Sequence, residues 1–174
     1  PKFCQPMVET VHGTIVECNT AYPGERNTTD AHRRTMIKHG WSKLFDVDIL
    51  DAEGPDLELP IPNGKRIQKN LVGKDIKNYD SMLVLSHFKG HPMGGFGGAL
   101  KQLSIGCASS AGKANIHGAG KPEEMWTTEQ NAFLESMADA AESVVKLFDG
   151  KIVYINVMKN MSVDCDCCAV AGDP

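Results

Sequence analysis

The hexapeptide SMLVLS at residues 81–86 is apolar through its centre and runs without a break into residues 86–120, which hold nine of the chain's 17 glycines. An unalternating apolar run of this length suits a strand covered on both faces. A second such run, IVYINV at 152–157, follows a helical spacing of Phe133, Met137, Ala140, Val144 and Phe148 that Gly150 brings to a stop. Strands alternating with helices predict one α/β domain, a mostly parallel sheet with helices on both faces.

The rest of the chain fits that frame. GTIVE at 13–17 reads as a strand, and Tyr22-Pro23-Gly24 as the turn beyond it. Asn27-Thr28-Thr29-Asp30 supplies caps for a helix to about His39, with Gly40 at its C-terminus. Residues 47–50 form a short buried strand; the Pro-rich stretch 55–62, the Asn63-Gly64 turn and a returning strand at 65–72 form a hairpin. Thr127-Thr128-Glu129-Gln130 fits a capping box for the long helix.

A chain of 174 residues supports one core, so residues 1–174 are expected to be a single domain, with Pro1 and Pro174 reading as cuts through a longer chain. A formal charge of -4 and a pI near 5.9 argue against a nucleic-acid partner. No apolar run reaches the eighteen or so residues of a membrane span, and no charged-then-apolar leader opens the chain. Of six cysteines, Cys165, Cys167 and Cys168 crowd together, which suits a metal or redox role in a reducing, cytoplasmic setting better than a disulfide framework.

A strand, a glycine-rich loop and a helix in that order aim backbone N–H groups at a helix N-terminus, where an anion can bind. The phosphate-loop and dinucleotide fingerprints both fail, because Gln102 follows Lys101 and Gly94, Gly95, Gly97 and Gly98 have the wrong spacing. Pro92 disfavours a helix at His91, so His87 and His91 belong to a strand end or a loop, as two metal ligands or as one capping and one solvated histidine. With a helix opening near Gly97, Lys101 stands in its first turn, where the macrodipole opposes a cation; it binds an anion there, acts as a nucleophile of lowered pKa, or is a solvated surface lysine. Cys107 is either a ligand or a small buried hydrophobe, and His117 is placed in a second glycine-containing loop. In an extended segment Cys165 and Cys167 point the same way, able to hold one soft cation or to form a redox pair.

The stretches LSHFKGHPMGGFGGALKQLSIGCASSAGK, NTAYPGERN and INVMKNMSVDCDC resemble a prokaryotic family of domain-of-unknown-function proteins called iron–sulfur centre proteins. That resemblance implies a redox-associated domain with a redox partner protein or a homo-oligomeric state. The ferredoxin-type cysteine runs of many relatives have no counterpart in this chain. More distantly, the order His91, Gly-Phe-Gly-Gly, Lys101, His117 is similar to the N-terminal domain of nickel-dependent lactate racemases. This second resemblance implies His91 as acid/base, Lys101 as the anchor of a nucleotide-type cofactor, and His117 as metal ligand. It also implies that Gly94, Gly95, Gly97 and Gly98 admit that cofactor. A second catalytic histidine of those enzymes has no match in residues 48–54. The expectation is a domain binding nickel, zinc or iron, or a small-molecule cofactor, at His87, His91, Lys101, Cys107 and His117, joined or neighboured by Cys165 and Cys167. Its alternatives are a racemase or hydride-transfer enzyme domain and a non-catalytic interaction module.

Overall fold

Short runs of branched residues start the chain's pairing. In the computed structural model, which describes residues 1–162, β1 (Ile15–Glu17) lies parallel to β2 (Val47–Ile49) with Ile15 opposite Val47. A six-residue helix, α1 (Gln5–Thr10), precedes them, opened by a proline in its first turn. Between them runs α2 (Thr29–Lys38), where Thr28 is the N-cap and accepts from the Ala31 N–H. Gly40 ends it at φ 79°, in the left-handed region that glycine enters without steric cost. The Pro-rich excursion closes as expected, β3 (Leu57–Pro60) antiparallel to β4 (Lys69–Val72).

β5 (Met82–His87) and β8 (Ile152–Val157) form the longest ladder, parallel from Met82 opposite Ile152 to His87 opposite Val157. Between them lie a small hairpin, β6 (Lys89–His91) with β7 (Gly95–Gly97), and three helices. These are α3 (Ala99–Lys101), continuing as a π-helical turn over Gln102–Gly106, then α4 (Ser110–His117) and α5 (Gln130–Leu147). α5 buries Phe133, Met137, Ala140 and Val144 almost completely, and its C-cap Phe148 likewise. Each large apolar side chain removed from water contributes roughly 1.5–3 kcal/mol, so this stripe is what holds the helix to the body.

Two features depart from the sequence expectation. Glu129, not a threonine, caps α5, accepting from the Asn131 and Ala132 N–H groups; Thr127 and Thr128 turn their hydroxyls back to the Glu124 carbonyl. In place of one mostly parallel sheet with helices on both faces, the described strands pair as four two-stranded ladders, two parallel and two antiparallel. Val84 on one face of β5 is buried with Leu103, Val144 and Phe148. On the opposite face Leu83, Leu85, Val153 and Ile155 line an open groove of about 870 Å³ together with α1 and β1. The two parallel pairs thus meet across a groove instead of bonding edge to edge, and Val153 stays 62% exposed. No helix among the described residues is long and apolar enough to cross a membrane.

Candidate functional site

The site is built where β5 delivers the chain into its glycines. His87 is the last residue of β5, and its Nε2 lies 2.8 Å from the Lys159 carbonyl. His91 ends β6. Its Nδ1 accepts the Gly94 N–H at 2.9 Å, which puts the proton of the neutral ring on Nε2.

Gly94, Gly95 and Gly98 each have an observable reason. Gly95 turns the hairpin at φ 73° into open space. A Cβ on Gly94 would lie 3.3 Å from the His91 ring. On Gly98 it would lie 3.2 Å from both Asn156 Oδ1 and Phe88, because the Ala99 N–H is tied to Asn156 on β8. Around Gly97 the aliphatic stems of Lys89 and Lys101 converge, 3.4 and 3.9 Å from where a Cβ would be. Two lysines therefore flank one bare backbone position at the opening of α3.

His117 is not in a loop. It is the last residue of α4, with Gly118 as C-cap, because the run from Ser109 onward forms a helix capped by the Ser109 hydroxyl on the Gly112 N–H. Its ring stacks on Phe133 with centroids 4.9 Å apart, and its Nδ1 meets the Lys113 carbonyl at 2.7 Å. A carbonyl can only accept, so Nδ1 carries the proton and Nε2 keeps its lone pair. Burial pushes the ring's pKa down, and the positive charges of Lys101 and Lys113 act the same way; the hydrogen bond to the carbonyl opposes them. Lys101 and His117 are thus brought within each other's field. The hairpin carrying His91 is tied to the same region, for Met93 packs beside Phe133 and Ile116, and its carbonyl accepts from Gln130.

Cys107 stands apart. It is 6% exposed within the core around Val84 and Val144, and burial pushes its thiol up to about 12. Cys165 and Cys167 lie outside the described residues.

A second polar centre, at the carboxyl ends of β1 and β2, was not singled out from the sequence. Asp51 bridges the backbone N–H groups of Asn19 and Ser110, the Ser109 hydroxyl donates to Asp56, and the Ser110 hydroxyl to the Thr20 carbonyl. Lys113, only 7% exposed, donates to the Ala108 carbonyl at 2.6 Å. Its charge reaches both Glu17 on one side and His117 on the other. The signal was present in NTAYPGERN and in the lysine of SSAGK, but only folding joins them.

A family model described as Domain of unknown function (DUF362) matches residues 1–174, the whole chain. The chain belongs to this family. Within this DUF362 domain His117, which feels the charge of Lys101, and the polar centre around Asp51 lie at opposite ends of α4, joined by that helix. No curated protein and no solved structure shows significant similarity to it.

His32 yields a prediction here. Its Nδ1 faces Asn19 Oδ1 at 3.2 Å, and Asn19 donates through Nδ2 to Thr29, so the imidazole must carry its proton on Nδ1. Burial, with Arg26 and Lys113 assisting, pushes its pKa down to about 4. A depressed histidine adds stability above its unfolded pKa near 6.5, lost as pH falls toward about 4. Long-range nitrogen–proton NMR at pH 6 should show His32 as the neutral Nδ1-protonated tautomer; a protonated imidazolium at that pH would contradict it.

Proposed function

We propose that this DUF362 domain binds a small cofactor, metal-bearing or nucleotide-type, between Lys101 and His117, within the redox-associated iron–sulfur family that its motifs resemble. One observation carries the proposal. His117 donates Nδ1–H to a backbone carbonyl and keeps a neutral ring with Nε2 unprotonated, the arrangement by which metal-ligating histidines are oriented. Among the described residues no group of three or more His, Cys, Asp and Glu could hold a metal unaided, so His117 would complete the coordination of a metal that the cofactor itself carries. Lys101 supplies charge or a covalent anchor, and His91, with its proton on Nε2, fits a hydrogen-bond donor to the bound group. The roles of Lys101 and His117 agree with what the likeness to nickel-dependent lactate racemases implies. A cofactor of that kind would supply metal chemistry when bound; the chain's own residues orient it and hold the proton.

A second proposal, a non-catalytic interaction module, has the apolar groove beside β5 in its favour. Metal analysis of protein purified without chelator or an affinity tag that binds nickel separates the two. The cofactor proposal expects bound metal in the wild type and its loss in His117→Ala, with the circular dichroism spectrum retained. Metal-free wild-type protein, or full metal content in the variant, would overturn it. Intact mass then asks whether an adduct sits on Lys101.

A further inference from the structure

Beside the carboxyl end of β1, on the α2 side, lies a second pocket of about 300 Å³ lined by Glu17, Arg26, His32, Thr35 and Trp41, among others. Its size is at the low end of small-molecule sites. None of the features assigned to the Lys101–His117 site belongs to it. We propose that this pocket binds a small zwitterion of the α-amino acid class, its ammonium toward Glu17, His32 and Trp41 and its carboxylate toward Arg26.

The polar groups supply the argument. The Glu17 carboxylate makes no hydrogen bond and no ion pair with any described residue; burial pushes its pKa up, and the charges of Lys113 and Arg26 only partly oppose that. A half-buried carboxylate without a donor is costly unless something supplies one. His32 is 1% exposed, and its proton is committed to Asn19, which leaves Nε2 as an acceptor with no described partner. Both groups line the pocket and can accept N–H donors from a molecule held there. Trp41, half-buried at the same pocket, offers an aromatic face to a cation. Arg26 points the other way in charge: its guanidinium makes no close ion pair with a described residue, although its charge reaches Glu17 and His32, and it lies exposed at the rim. An ammonium and a carboxylate on one small molecule answer both ends.

The pocket is also held ready. The loop bearing Arg26 is pinned by the Thr20 N–H on the Arg26 carbonyl and by the Thr35 hydroxyl on the Glu25 carbonyl, each at 2.9 Å. A preformed site loses less freedom on binding than one that must order.

The test titrates the purified chain with the twenty standard amino acids, following thermal midpoint and calorimetric heat. For each binder, the corresponding carboxylic acid without its amine and the amine without its carboxylate are titrated too. At least one amino acid should bind saturably, and both truncated analogues should bind roughly tenfold or more weakly, the loss expected for a charge-assisted hydrogen bond. Arg26→Gln should bring the amino acid down to the affinity of its amine, and Glu17→Gln down to that of its acid. Binding by none of the twenty, equal affinity for the simple amine, or indifference to Arg26→Gln would each overturn the assignment. Since Arg26 is exposed, that variant decides the matter even where Glu17→Gln fails to fold.

Discussion

Gly112→Ala is expected to destabilise the fold by roughly 3 kcal/mol or more, the upper end of what overpacking does. Gly112 lies on α4 where the helix backbone presses on β4, and a Cβ there would fall 1.9 Å from the Leu71 carbonyl oxygen. Ordinary contact begins at 3.4 Å. That oxygen cannot withdraw cheaply, since it already accepts the Ser109 N–H at 3.0 Å. Moving α4 instead would disturb His117 at one end and Lys113 within it. Urea unfolding measures the effect. Gly54→Ala is the control, because a Cβ at Gly54 meets nothing within 4 Å, and a change within about 0.5 kcal/mol is expected there. Equal midpoints for the two variants would refute the close-approach argument.

Asp139→Ala should cost a comparable amount, about 3 kcal/mol. Asp139 sits on the buried side of α5, and its carboxylate accepts three consecutive backbone N–H groups, from Lys65 at 3.0 Å, Arg66 at 2.6 Å and Ile67 at 3.1 Å. One side chain thereby closes the turn between β3 and β4 onto the long helix. Hydrogen bonds to a charged group are worth about 1.5–3 kcal/mol each and are not additive, and their loss strands N–H donors. One turn away, Glu135 pairs with Lys65 and Arg66 at the surface. Their hydrogen bonds hold its carboxyl below the usual range, yet a solvent-screened pair of this kind contributes little to stability. Denaturation of Asp139→Ala and Glu135→Ala side by side should therefore give clearly unequal losses. Similar losses would mean that surface pairing, and not the buried carboxylate, holds the turn.

Local chemistry was legible wherever it acts over a few residues. The spacing of Phe133, Met137, Ala140 and Val144 read correctly as a buried helical stripe, and Gly40 and Gly150 as stops, both at positive φ. The run 81–86 read correctly as a strand paired in parallel, but not as one covered on both faces, since Leu83 and Leu85 look onto the groove. His117 was misplaced because glycines on both sides suggested a loop, whereas Ser109 caps a helix that carries on through Gly112. The capping box failed because Glu124 drew the threonine hydroxyls away. Glu17, Arg26 and His32 were passed over, since nothing in their spacing brings them to one pocket.

By itself the sequence determined the α/β character, the course of its longest helix and strands, and the three lysines and three histidines placed among the glycines of residues 86–120. Those depend on periodicity, capping and backbone freedom, which act locally along the chain. Tertiary structure alone decided that the parallel strands stay as separate pairs with a groove between them, and that Cys107 faces the core. It alone turned most of the loop's glycines toward the chain's own atoms, and it alone set Lys113 between two polar centres. Such outcomes depend on which distant surfaces come within a few ångströms of one another, and no local pattern encodes that distance.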